Sequence, residues 1–149
     1  MARIPEGFST ITPQIVVSDA KKAIDLYQKA LGAQSMGVMT VPGSDKVVHS
    51  ALKIGTSVLF VTDELEQFPR KAPKGTDSCA FYLYVDDADA AYKKAVDAGM
   101  TSQSEPMDMF WGDRTAVVND PFGYNWTFAT HVRDVPEDEM MKAMESMMG

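Results

Sequence analysis

The chain has 149 residues, of which 45% are hydrophobic and 23% charged, as is typical of a single globular domain. A formal net charge of −7 argues against a nucleic-acid partner, which needs clustered lysine and arginine. No run approaches the roughly 18 apolar residues of a membrane helix, and the N-terminus lacks the apolar stretch of a signal peptide. Cys79 is the single cysteine, so we expect no internal disulfide, no thiolate zinc site and a reducing, cytoplasmic location.

The first half of the chain predicts one strand, one helix and three more strands. The strands cover residues 12–17, 34–41, 46–53 and 56–62, and the helix covers 19–31. Asp19 is suited to accept the free N–H groups of the first helical turn, and Gly32 to end the helix with a positive φ.

The second half repeats this order after a linker at 64–77. Strands are predicted over 78–85, 101–110, 114–118 and 124–131, a helix over 87–98, and a turn at Gly112-Asp113. Asp19 and Asp87 are 68 residues apart, as are Gly55 and Gly123, which indicates an internal duplication.

We therefore predict an α+β protein with two tandem βαβββ modules in a single domain. The modules cover about 10–63 and 78–131, and a C-terminal helical tail covers 132–149. The tail opens with a capping box at Asp134-Val-Pro-Glu137 and carries five methionines, which could dock on the body or on a partner.

Four stretches carry a family resemblance: Thr12 to Tyr27, His49-Ser-Ala-Leu-Lys-Ile-Gly, Trp111-Gly-Asp-Arg, and Asp120-Pro-Phe-Gly-Tyr-Asn-Trp through His131. Together they resemble the glyoxalase/bleomycin-resistance/dioxygenase (vicinal oxygen chelate) superfamily, and within it the PhnB-like branch. The resemblance implies a cupped mixed sheet. It also implies a homodimer in which modules of two chains often complete each cleft, and the sequence leaves open whether the cleft here is shared or lies within one chain.

Strand alternation predicts one apolar face and one mixed face. Phe81, Leu83 and Val85 share a face that must meet the helices, whereas Tyr82 and Tyr84 lie on the other. A face that mixes aromatic rings with Gln, Thr and Asn is typical of a ligand pocket, although a solvated or dimer-buried face would have the same pattern.

Metal-using relatives place four His or carboxylate ligands on the inner face. The resemblance maps these positions to Thr12, to Leu59 or Phe60, to Ala80 and to Thr127. None of these side chains is a His or a carboxylate, so we expect no metal and no cofactor.

Ligand binding is therefore predicted to involve residues of both modules on the inner face, namely Gln14, His49, Phe60, Tyr82, Trp111 and Thr127. Aromatic rings would supply contact area, and Gln14, His49 and Thr127 would orient the ligand through hydrogen bonds.

Several of these side chains also have a purely structural interpretation. His49 is the only catalytic candidate, as an acid or base, and is otherwise an ordinary half-exposed strand histidine. Trp111 is either a lid over the ligand or the tip of a hairpin. Arg114 is expected to bond a nearby carboxylate, and His131 to be structural.

These residues favour a metal-independent small-molecule-binding protein acting as a homodimer. The alternative is a lyase, isomerase or dioxygenase that uses a displaced metal or His49. A third possibility is a dimeric scaffold whose cleft has no function.

Overall fold

The computed structural model describes residues 4–74 and 79–148. These residues form eight strands and three helices in the predicted order. The first half contains β1 (Gln14–Val17), α1 (Ala20–Leu31), β2 (Gln34–Thr40), β3 (Val47–Ile54) and β4 (Ser57–Asp63). The second half contains β5 (Ala80–Tyr84), α2 (Ala88–Asp97), β6 (Thr101–Asp108), β7 (Asp113–Asn119), β8 (Asn125–His131) and α3 (Glu137–Met148).

The strands form two four-stranded mixed sheets with the same topology. The first sheet has the order β1-β4-β3-β2 and the second has the order β5-β8-β7-β6. In each sheet the edge strand before the helix is parallel to its neighbour, and the other pairs are antiparallel. This confirms the predicted α+β class with tandem βαβββ modules.

Both helices begin where the sequence predicts. The side chains of Asp19 and Asp87 accept hydrogen bonds from N–H groups of the first turns of α1 and α2. The last strand of each module supplies a second tie. Asp63 Oδ1 accepts from Ala20 N at 2.9 Å, and Thr130 Oγ1 accepts from Ala88 N at 2.8 Å.

The two modules share one hydrophobic core. Tyr27 of α1 and Trp126 of β8 are both buried, with ring centroids 5.2 Å apart. Buried Asp120 accepts hydrogen bonds from Tyr27 Oη at 2.6 Å and from Trp126 Nε1 at 2.9 Å. We call this contact between the modules the seam. Both sheets turn their apolar sides toward this core, so the opposite side of each sheet lies on the outside of the molecule. We call this outer side the open face of the sheet.

The C-terminal helix α3 is present as predicted, but none of its described residues is buried. Met141, Met144, Met147 and Met148 are all exposed. No helix within residues 4–74 and 79–148 is long and apolar enough to cross a membrane.

Candidate functional site

The open face of the first sheet brings together Gln14, His49 and Phe60. Gln14 and Phe60 are register partners on β1 and β4. The rings of His49 and Phe60 meet edge to face with centroids 4.8 Å apart. Leu59 lies in the core, so the alternation along β4 places Phe60 on the open face and resolves the ambiguity between the two positions.

The open face of the second sheet brings together Tyr82, Trp111 and Thr127. Tyr82 and Thr127 are register partners on β5 and β8. The indole Nε1 of Trp111 donates to Tyr82 Oη at 3.2 Å. Within one chain, the six predicted residues therefore form two groups of three, one at each sheet, with Trp111 in the turn between β6 and β7.

A buried carboxylate organises the second open face. The side chain of Asp113, at the start of β7, is 2% exposed. Its Oδ2 accepts hydrogen bonds from Tyr82 Oη at 2.7 Å, from Tyr84 Oη at 3.0 Å and from Trp111 Nε1 at 3.2 Å. Its Oδ1 is 2.8 Å from His131 Nδ1. We call these five residues the Asp113 cluster.

The hydrogen bonds of the cluster set its protonation states. Burial alone would raise the pKa of Asp113, but the bonds from His131, Tyr82, Tyr84 and Trp111 together lower it. Burial, and then the hydrogen bond to Asp113, raise the pKa of Tyr82 to about 12. The phenol therefore stays neutral and continues to donate to the carboxylate.

His131 lies between two carboxylates. Its Nδ1 faces Asp113, and its Nε2 is 2.7 Å from Asp134 Oδ1. The hydrogen bonds that His131 donates to Asp134 and then to Asp113 raise the pKa of the imidazole. Both ring nitrogens donate only in the imidazolium form, so the geometry favours a charged His131.

Sequence reasoning missed most of this cluster. Asp113 was assigned to the turn with Gly112 and β7 was expected to begin at residue 114; Asp113 is instead the first residue of β7, paired with His131 on β8. The bonds of His131 to Asp113 and Asp134 agree with the structural role predicted for it, whereas Tyr84 is predicted on the mixed face without a role. The sequence feature that could have identified Tyr84 is strand alternation, because residues two positions apart, such as Tyr82 and Tyr84, lie on the same face of a strand.

The neighbouring hairpin has a backbone requirement at Gly112. This glycine has φ of 100°, and a Cβ here would overlap the carbonyl oxygen of Arg133. Arg114, two residues after this glycine, bonds Asp89 and Asp108 instead of the cluster, as its structural interpretation predicts. Trp111 is thus held at the end of a closely packed turn.

The metal positions implied by the family resemblance do not fit a metal ion. Thr12 lies before β1, and Phe60, Ala80 and Thr127 offer neither imidazole nor carboxylate. In the part of the chain that the structure describes, no three His, Cys, Asp or Glu side chains are placed to hold a metal ion.

A cavity of about 670 Å³ lies at the unpaired edge of β5, away from most of the predicted site. It is bounded by the segment before β1, the turn between β3 and β4, and α2. Of the six residues predicted to bind ligand, only Tyr82 borders it.

Comparison with known proteins gives consistent matches over most of the chain. A family model described as the glyoxalase/bleomycin resistance protein/dioxygenase superfamily matches residues 8–128. An uncharacterised protein of Mycobacterium bovis is 38% identical over 142 residues, covering 91% of this chain and 92% of that protein. The crystal structure of TioX from Micromonospora sp. ML1 has a TM-score of 0.68 at 22% identity, covering 83% of this chain and 99% of TioX.

A second solved structure is a glyoxalase/bleomycin resistance protein/dioxygenase from Nocardioides. It has a TM-score of 0.64 at 18% identity, covering 92% of this chain and 90% of that chain. At these identities the two structures support the fold. The PhnB-like branch stays a prediction.

Proposed function

Because the chain belongs to the glyoxalase/bleomycin resistance protein/dioxygenase superfamily, we propose that it is a metal-independent protein that binds a small molecule in a cleft between two copies. The observation that carries this proposal is the Asp113 cluster. A carboxylate is costly to bury and needs hydrogen-bond partners. Here three of the four partners are the aromatic side chains of Tyr82, Tyr84 and Trp111 on an outward face, so the buried charge holds a partly exposed aromatic surface in one arrangement.

The position of the open faces supports a shared cleft. Gln14, His49 and Phe60 lie on one outer face and Tyr82, Trp111 and Thr127 on the other, so one chain does not enclose a ligand between them. A two-fold pair can place the first open face of one copy over the second open face of its partner. Two such clefts then form in each homodimer, within the cytoplasmic location expected from the sequence.

Metal independence rests on the donor set. The equivalent ligand positions hold Thr, Phe and Ala, and both nitrogens of His131 are already engaged by carboxylates. His49 contacts an aromatic ring, which suits ligand packing. We therefore favour binding over an enzyme that uses His49 or a displaced metal.

The experiment is a complementation of two damaged copies. A thermal-shift screen first supplies a ligand, and Phe60→Ala and Trp111→Ala are then each expected to weaken it by about 1–3 kcal/mol, since each removes a large apolar contact. Co-expression of the two variants with different affinity tags yields mixed dimers. If each cleft is shared, one cleft carries both defects and the other carries none.

The expected result is therefore one site of wild-type affinity per mixed dimer. The matched control is a dimer of the double variant with wild type, in which both shared clefts are damaged. A cleft within one chain predicts the reverse, with an intact site in the control and none in the complementation. If Trp111→Ala and His49→Ala both bind a confirmed ligand as tightly as wild type, the placement of the site is wrong.

A further inference from the structure

The Asp113 cluster presents hydrogen-bond acceptors and aromatic rings to a ligand. The hydroxyls of Tyr82 and Tyr84 both donate to Asp113 Oδ2, and the indole N–H of Trp111 is shared between that oxygen and Tyr82 Oη. What these side chains keep available are phenolic lone pairs and ring faces. A group that accepts hydrogen bonds finds no donor among them.

The two tyrosine rings form an open corner. Tyr82 is 45% exposed and Tyr84 is 67% exposed, their centroids are 5.4 Å apart, and the ring planes meet at 62°. Aromatic faces carry negative electrostatic potential and attract cations placed over them. The indole of Trp111, bonded to Tyr82, extends the same aromatic surface.

The charged side chains near this corner also favour a positively charged ligand. Asp113 and Asp134 flank the imidazolium of His131, which leaves one net negative charge. The two arginines nearest in sequence bond carboxylates elsewhere: Arg114 contacts Asp89 and Asp108, and Arg133 contacts Glu139. The whole chain carries a formal charge of −7. Long-range and local electrostatics both favour a cation.

We propose that the corner formed by Tyr82, Tyr84 and Trp111 recognises an organic cation, a quaternary or methylated ammonium group. The inference rests on the proposed function, because it assigns a ligand class to the same open face. Asp113 acts as a positioning residue that orients the rings and supplies negative charge behind them. Covering the corner with a second copy would remove water and strengthen the attraction.

The test compares choline with 3,3-dimethylbutan-1-ol, its uncharged isostere, which has the same shape. Each is titrated up to tens of millimolar while the Trp111 indole N–H resonance is followed by NMR, with Trp111→Phe assigning that resonance. We expect choline to bind about 2- to 30-fold more tightly than the isostere, the range that a cation gains on aromatic faces.

Variants of Tyr84 separate the ring from its hydroxyl. Tyr84→Phe keeps the aromatic face and should bind choline within about twofold of wild type, whereas Tyr84→Leu should lose most of the preference for choline. The matched control is Tyr92→Leu on α2, a tyrosine whose hydroxyl bonds Ser102 away from the open face. Circular dichroism and dimer mass confirm that each variant is folded.

The inference is overturned if choline leaves the Trp111 resonance unmoved, if the isostere binds equally well, or if Tyr84→Leu retains the preference. In that case, the proposed function still holds if the screen finds a neutral or anionic ligand whose affinity falls in Trp111→Ala. If no compound depends on Trp111 or His49, both proposals fail together.

Discussion

Replacement of Tyr27 by Phe tests the seam that fixes the two open faces relative to each other. The tyrosine is fully buried, and the variant removes only its hydroxyl, which donates to Asp120 at 2.6 Å. Asp120 keeps its bonds from Trp126 Nε1 and from the backbone N–H groups of Phe122 and Tyr124. A bond to a charged acceptor contributes about 1.5–3 kcal/mol, so we expect that loss in the free energy of unfolding.

The free energy of unfolding is measured by urea denaturation and the melting temperature by a thermal scan. Both are followed by tryptophan fluorescence, since Trp126 lies against the altered residue. At roughly 2–4 °C per kcal/mol for a chain of this length, the melting temperature should fall by about 3–12 °C. The control is Tyr92→Phe, whose hydroxyl bonds Ser102 Oγ at 2.7 Å at the surface and should contribute less than about 0.5 kcal/mol. Equal losses in the two variants would refute the idea that a buried, charge-assisted bond stabilises the seam.

Four further predictions concern the assembly and the site. Light scattering should give a mass near twice 16.3 kDa, and a monomer at micromolar concentration would contradict the shared cleft. Elemental analysis after dialysis should find well below one equivalent of zinc, nickel, iron or manganese, and near-full occupancy removable by a chelator with loss of an activity would favour the enzyme. The pKa of His131 is raised by Asp134 and Asp113, so its contribution to stability is complete below its unfolded pKa and is lost as pH rises through the folded value. Titration by NMR should show a lower pKa of His131 in Asp134→Asn than in wild type. His49→Ala assigns the signals, because it leaves His131 as the one imidazole of the chain. An unchanged pKa would refute the idea that His131 bridges Asp134 and Asp113. Gly112→Ala, at φ of 100° and against Arg133, should cost on the order of 1–3 kcal/mol, and thermal melting equal to wild type would show that the hairpin relaxes freely.

The fold was predictable because its signals are local and occur twice. Asp19 and Gly32 bound α1, and the structure places both at the caps of that helix. Alternation along β5 predicts Phe81 on the apolar side, where its ring stacks on that of Trp126 with centroids 4.6 Å apart. Each of these features depends on residues close together in sequence, so a single sequence suffices to predict them.

The Asp113 cluster was not predictable in the same way because its contacts join three strands. Tyr82, Asp113 and His131 come together only through the register of β5 on β8 and of β8 on β7. A shift of one residue at the start of β7 moves Asp113 from turn to strand and decides which face its side chain occupies. The predicted placement of ligand at Gln14, Thr127 and the other four residues stays a prediction.

The ties from Asp63 to Ala20 and from Thr130 to Ala88 also bear on how the molecule opens. Each fastens the first turn of a helix to the end of the last strand in the same half, so unravelling that strand also frees the helix start. Amide protons of α1 and β4 are therefore expected to exchange together, as are those of α2 and β8, while the shared core and the seam couple the two groups. Substitutions on one outer face leave both of these ties and the seam in place, because none of their residues lies on an outer strand surface used to contact a ligand.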